Sequence, residues 1–311
     1  TAQRVIGYHQ GTNNSKLQSW YWDYITDVNY SFLQVGSNGQ VGLGKNGGSD
    51  PFQENLFNEF LTIATSQGKR ITISVGGADK AQALNFKTNS ATYAKAKTFA
   101  TNIVTWAKNK GLDGIDIDWE PEGSTGKPTS TEWENLLKAL RDVITTNAPG
   151  MELTAAVFPY KFGQNTFILP SCHQYVDHFN LMVYDFGGSD YPHHSNYIPA
   201  LDNLYGGKTV EEACISYWNT TKGLAKDKMV LGLPFYGRGK NWQYSQSDYK
   251  LYRDIVGTST TLAAKDEGGG MMYNGQPTIK RKTKYAIDNG LKGVMMWAVS
   301  YTHLRAHETR H

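Results

Sequence analysis

The chain has 311 residues, enough to bury roughly three quarters of the surface it exposes when unfolded, so one large core needs no disulfide or metal staple. Its 31 basic and 28 acidic residues leave a formal charge of +3, and the basic ones are scattered, which argues against a nucleic-acid partner. No apolar run approaches the ~18 residues needed to span a membrane, and 13% aromatic against 19% charged residues suit a surface that stacks on uncharged, ring-shaped ligands.

In chain order, the start Thr1-Ala2-Gln3 carries neither an initiating Met nor a signal peptide and reads as a mature end left by signal cleavage, which implies a secreted, extracellular protein. Eight short apolar runs then recur. They predict strands at Arg4 to Gln10, Val28 to Val35, Arg70 to Gly76, Gly114 to Glu120, Glu152 to Pro159, His178 to Phe186, Met229 to Tyr236 and Gly293 to Ser300. Helices are predicted between them at Phe52 to Ser66, Ala91 to Lys110, Glu132 to Thr146, Val210 to Leu224 and Ile279 to Asn289, with a short one near Leu17 to Tyr24. Alternating β and α with eight strands predicts a closed parallel (β/α)₈ TIM barrel, with a doubly wound open sheet as the alternative. Cys172 and Cys214 fit either one disulfide or two buried thiols. Asn-x-Ser/Thr occurs at Asn13, Asn29 and Asn219, of which Asn29 falls in a predicted strand.

The densest chemistry lies in Gly-Leu-Asp-Gly-Ile-Asp-Ile-Asp-Trp-Glu, residues 111 to 120. On a strand from Gly114, the period of two puts Asp116, Asp118 and Glu120 on one face and Ile115, Ile117 and Trp119 on the other. Three carboxylates on one face repel, and burying them requires dedicated hydrogen bonds or a shared proton, so the strand reads as a tuned acid/base array. A solvated acidic edge strand is the plain alternative, and the Ile-Ile-Trp face argues against it. Barrel chemistry sits at the carboxyl ends of strands, which puts Glu120 nearest the substrate. Asp113 has the opposite parity and is assigned a structural role.

Asp113-x-x-Asp116-x-Asp118-x-Glu120 resembles the D-x-x-D-x-D-x-E signature of glycoside hydrolase family 18, the chitinases and their relatives. Ser74-Val75-Gly76-Gly77 is similar to that family's S-x-G-G on strand three, Met182-Val183-Tyr184-Asp185 to its M-x-Y-D on strand six, and Gly232 to Arg238 to its G-x-P-x-Y-G-R on strand seven. Trp297 is similar to the tryptophan closing strand eight, and Tyr8 sits where the first strand carries an inward aromatic. The resemblance implies a chitinase acting on chitin or chitooligosaccharides by substrate-assisted retaining catalysis, with no metal and no nucleotide cofactor. It implies Glu120 as general acid and then base, Asp118 as the group that meets the acetamido nitrogen, Asp116 sharing a proton with Asp118, and Tyr184 donating to the acetamido group. Substrate-binding roles fall by the same resemblance to Tyr8, Phe32, Ser74, Gly76, Gly77, Met182, Asp185, Tyr236, Arg238 and Trp297. Trp20, Trp22, Phe158, Tyr160 and Trp242 are candidates for an extended stacking track.

Only about 40 residues, Gly239 to Thr278, separate strands seven and eight, too few for a large insertion domain. A shallow, open cleft and internal cleavage follow as expectations, with the enzyme acting as a monomer. An endo-β-N-acetylglucosaminidase acting on N-glycans and a non-catalytic chitin-binding lectin share the barrel; the strand-six and strand-seven motifs argue against the first and Glu120 against the second. Gly42-x-Gly44-x-x-Gly47 runs into Gly48, Ser49, Asp50 and Pro51 rather than a helix and reads as a loop. Gly206-Gly207-Lys208-Thr209 fails as a P-loop because Asp202 stands where its first glycine belongs. Lys280, Arg281, Lys282 and Lys284 read as a solvated helix face with Ile279 and Ile287 inward. His307-Glu308-Thr309-Arg310-His311 fits H-E-x-x-H but ends the chain without a surrounding fold. Residues 1–301 are thus expected to form one catalytic barrel and 302–311 a non-native tail that replaces the last helix.

Overall fold

The structure is a computed structural model that describes residues 3–12, 14, 21–159, 166–186, 208–239 and 249–299. Eight parallel strands, β1 (Arg4–Gln10), β2 (Asp27–Val35), β3 (Arg70–Gly77), β4 (Gly114–Trp119), β5 (Glu152–Val157), β6 (His178–Leu181), β7 (Met229–Pro234) and β8 (Gly293–Trp297), pair in sequence order. The ring closes where β8 pairs with β1, Arg4 opposite Gly293. The chain is therefore a single (β/α)₈ barrel, as the strand count predicts.

Local chemistry explains the helices between the strands. Helix α1 (Pro51–Ser66) starts at Asp50, whose carboxylate accepts from the amides of Phe52 and Gln53, with Pro51 supplying a ready-made first turn. Helix α2 (Lys80–Asn89) has little apolar periodicity, which is why the sequence pattern misses it; it is capped by Asp79. Helices α3 (Tyr93–Asn109) and α4 (Ser130–Asn147) begin on Thr92 and Thr129, and bury Phe99, Ile103 and Val104, and Trp133, Leu136 and Leu140. Helix α5 (Val210–Ser216) opens with a Thr209/Glu212 capping box and gives way to a π turn at Tyr217–Thr221, short of the predicted Leu224.

Helix α6 (Gln276–Asp288) exposes Lys280, Arg281 and Lys284 as expected of a solvated basic face, but corrects that expectation at Lys282 and Ile287. Lys282 is completely buried and its Nζ donates to Asn274 Oδ1 at 2.6 Å, Arg281 pairs with the buried Glu211, and Ile287 points to solvent. Of the predicted first helix, the described part is a single 3₁₀ turn, Tyr21–Tyr24. Between β7 and β8 lies a small antiparallel sheet of four strands, Tyr249–Leu251, Tyr236–Gly239, Met271–Met272 and Glu267–Gly268, with short helices at Tyr252–Val256 and Thr260–Ala263. The described residues of this stretch thus make a small antiparallel unit rather than a large domain. Cys172 and Cys214 are both free thiols in the core, not a disulfide, and burial pushes the Cys172 thiol up to about 11.

The two ends of the barrel differ. At the amino ends of the strands, Arg4 bridges Asp27 and Glu152, and Arg70 lies within 3.6 Å of Glu152. Asp113 belongs here too: its carboxylate accepts from the Ile71 amide at 2.8 Å, tying β4 to β3, the structural role its parity suggests. Ile115, Ile117 and Trp119 of β4 face the helices, where Trp119 stacks on Phe86 at 5.3 Å and donates to the Gly126 carbonyl. The opposite parity of β4 faces the barrel axis.

Candidate active site

Strand register builds the site. Ser74 of β3 stands beside Asp116 of β4, and Asp116 beside Thr154 of β5. Asp116 is fully buried and accepts four hydrogen bonds: from Tyr8 Oη at 2.7 Å and Ser74 Oγ at 3.0 Å on one oxygen, from Thr154 Oγ1 at 2.7 Å and Asn180 Nδ2 at 3.0 Å on the other. Burial raises its carboxyl, and the four donors oppose that rise by stabilising the anion. Tyr8 and Ser74, to which the resemblance gives substrate-binding roles, both donate to the Asp116 carboxylate. Thr154 and Asn180 are additional. Their legible signal is parity: Asn180 shares its face with Met182 and Tyr184, and Thr154 shares its face with Ala156 and Phe158, in runs that otherwise point apolar groups inward.

Asp118, one step up the same face, is treated differently. It is 3% exposed, and its Oδ1 meets no donor among the described residues. Burial first, then the charge of Glu120 and a hydrogen bond to Glu120, hold its carboxyl well above the usual carboxylate range. Glu120, half-buried just past the strand end, is also raised by burial, with Asp185 and Asp116 adding to the rise and the hydrogen bond from Asp118 subtracting. The two carboxyls are thus tied to each other, Asp118 raised and Glu120 lowered by the hydrogen bond between them. Both oxygens of Asp116 accept from donors on other strands, and its charge adds to the rise at Asp118.

The remaining candidates surround these carboxyls. Tyr184, half-buried, has its hydroxyl 3.8 Å from Met295 Sδ, and burial together with the charges of Asp118 and Glu120 pushes its ionisation well above the ordinary value. Asp185, at a left-handed φ of 58°, accepts from Tyr236 Oη at 2.7 Å and pairs with Arg238 at 3.1 Å. Trp297 lies stacked 5.9 Å from Phe32 and tilted 5.6 Å from Tyr8. Met182 is buried with Ile6, Tyr8 and Met295 beneath them. Gly76 and Gly77 have φ of 105° and 98°; a Cβ on Gly76 would meet the Asp118 carbonyl at 2.4 Å, and one on Gly77 the Phe32 ring at 2.7 Å. These glycines let β3 approach the acid strand and leave the Phe32 ring in place.

The wider stacking track is corrected in part. Trp22 is buried against Tyr21 and unavailable to a ligand, while Phe158 is half-buried against the barrel interior. Trp20, Tyr160 and Trp242, the Gly206-Gly207 pair, the Asn13 sequon and the H-E-x-x-H tail lie outside the described residues. No group of three potential metal ligands occurs among the described residues, and no described helix is long and apolar enough to cross a membrane.

The raised carboxyl of Asp118 carries an expected result. Asp118→Asn keeps the shape of the side chain and a donor towards Glu120 but cannot ionise, so activity should fall while stability at neutral pH is held or raised. A thermal melt at neutral pH checks this, and a lower midpoint than wild type would reject it.

Residues 4–301 match the family model of the glycosyl hydrolases family 18. The chain belongs to that family. Among its relatives, Endochitinase 1 of Metarhizium anisopliae is 26% identical over 327 residues, covering 89% of this chain and 75% of that protein. Probable chitinase 10 of Drosophila melanogaster is 24% identical over 302 residues, covering 81% of this chain but only 13% of that much longer protein. Among solved structures, a chitinase from Bacteroides thetaiotaomicron superposes with a TM-score of 0.78 at 27% identity, over 99% of this chain and 93% of that one. The GH18 chitinase ChiB of Flavobacterium johnsoniae, at 24% identity and a TM-score of 0.76 over 96% and 88% of the two chains, shares the fold.

Proposed function

We propose that the chain is a chitinase that cleaves β-1,4 bonds between N-acetylglucosamine units with retention of configuration, working outside the cell as a monomer. The observation that carries this reading is the single acid face that runs up β4, on which a donor-clamped Asp116, a buried Asp118 and then Glu120, both with raised carboxyls, follow in order towards the strand end. Family membership and the names of the relatives support it.

In this reading Glu120 protonates the glycosidic oxygen, using the proton that it shares with Asp118 in the free enzyme. Loss of that proton leaves Asp118 anionic beside Asp116 just as an acetamido N–H arrives to pair with it. The acetamido oxygen of the substrate then attacks its own anomeric carbon, so no second protein carboxylate is needed as nucleophile, the substrate-assisted exception to the two-carboxylate scheme. Tyr184 donates to the acetamido group. Trp297, braced by Phe32 and Tyr8, supports the apolar face of the distorted sugar, while Asp185, Tyr236 and Arg238 hold hydroxyls of the neighbouring unit. Glu120 returns as base for the incoming water. All of these groups come from one chain.

The small size of the β7–β8 insertion, whose described strands are short, supports internal cleavage. Hydrolysis of chitohexaose followed by early NMR tests both parts. β-Anomeric products in a mixture of lengths are expected; α-anomers would reject the retaining mechanism, and dimers alone from the first time point would reject internal cleavage.

A further inference from the structure

We propose that Tyr249 is a sugar-stacking residue that extends the cleft past the reacting unit and sets a preference for longer chains, an inference that rests on the chitinase reading. Tyr249 is 48% exposed. It opens the short strand that pairs antiparallel with Tyr236–Gly239, where it lies directly opposite Arg238, with Leu251 opposite Tyr236. Directly opposed residues in an antiparallel pair project to the same side, so Tyr236, Arg238, Tyr249 and Leu251 share one face of the small sheet.

That face is the one turned to the acid array. Tyr236 and Arg238 both bind Asp185, and the Asp185 charge reaches Glu120. Tyr249 is the next group outward from them. Its ring centroid lies 5.5 Å from the Arg238 guanidinium, and its ring meets Tyr236 edge-on at 6.3 Å and 89°. Two contacts thus fix the ring while nearly half of the residue stays open to water. A ring fixed in advance loses little freedom when a ligand arrives. The ligand that fits is the C–H face of a pyranose in an uncharged polymer: it takes the apolar ring surface and requires no counter-charge.

The test uses the Glu120→Gln protein, in which bound oligosaccharide is not consumed, and titrates chitobiose and chitohexaose by calorimetry with and without Tyr249 substitutions. Tyr249→Ala is expected to weaken chitohexaose roughly tenfold and chitobiose less than about twofold, as for loss of one stacking partner. Tyr249→Phe and Tyr249→Trp should keep the hexaose affinity. An equal loss on both ligands, no loss on either, or a Phe variant as weak as Ala would overturn the proposal, the last by assigning Tyr249 to support of its neighbours through its hydroxyl. Turnover of the same oligosaccharides by wild type, measured in parallel, judges the chitinase reading separately: absence of turnover with the length-dependent loss intact rejects that reading and keeps the subsite, whereas no hexaose binding at all rejects both.

Discussion

Replacing Glu120 by Gln should lower chitotetraose turnover by about 10²–10⁴-fold, the usual contribution of a positioned general acid. Gln keeps the size of the side chain and its contact with Asp118 but has no proton to give the glycosidic oxygen. Removing a carboxyl raised by burial also relieves repulsion from Asp185 and Asp116, so the variant should melt no lower than wild type. That combination separates a lost proton donor from a damaged fold. The loss should shrink when the leaving group is an acidic phenol, such as 4-methylumbelliferone, that needs little protonation to depart. A Glu120→Gln enzyme within tenfold of wild type on chitotetraose would remove Glu120 from the acid role, and an equal loss on both leaving groups would point to damage elsewhere in the site.

The second large effect is acid instability. His9 and His178 are buried, and burial lowers each from the ordinary 6.5 to about 4. The ring of His178 meets no hydrogen-bond partner among the described residues; the charges around it are Glu152, Lys292, Arg4 and Asp27. Because the folded values lie below the unfolded one, the unfolded chain takes up protons first as the pH falls. The stability these rings contribute is therefore fully present above 6.5 and is lost between 6.5 and about 4, at about 3 kcal/mol for each ring. Glu152, lowered to about 2 by Arg4 against the opposing effect of burial, extends the loss, since its contribution is present above 4.5 and disappears towards 2. The raised carboxyls of Asp116, Asp118 and Glu120 work the other way, easing as the pH falls through their folded values. Melting midpoints at pH 7 and pH 4.5 should show a clear fall, and the fall should be smaller in His178→Gln. An unchanged difference between the two pH values in that variant would exclude His178 as a source.

The acid face of β4 is legible in the sequence because two facts about it are local: strand period puts Asp116, Asp118 and Glu120 together, and the apolar Ile115, Ile117 and Trp119 say which side is core. Barrel closure is legible for a similar reason, since eight apolar runs separated by helical stretches leave few topologies. The clamp on Asp116 is only half legible. Thr154 and Asn180 reach it because β5 and β6 adopt a particular register, which no short stretch of sequence sets. The basic run at 280 to 284 misleads at one position, Lys282, because charge does not guarantee exposure. Lys282 is held in the interior by Asn274 and by the packing of its own aliphatic stem, and an interior ammonium leaves no mark in a periodic pattern. The helix Lys80–Asn89 is hidden for the opposite reason, a buried face made partly of Gln82 and Asn89, which hydrogen bond to the backbone near Val35 and Gly36.

The four-donor clamp also bears on how the chain assembles. Tyr8 and Asn180, which touch each other at 3.2 Å and both touch Asp116, are separated by 172 positions in the sequence. A nascent or split chain ending before β5 holds Asp116 with Tyr8 and Ser74 only, while the complementary piece holds Thr154 and Asn180 without the carboxylate they serve. Neither half contains a finished acid strand. Ordering of that one carboxylate is thus an event of long-range closure, late in any pathway that first forms local contacts, and two fragments cut between β4 and β5 would recover the clamp only by finding each other and closing the ring.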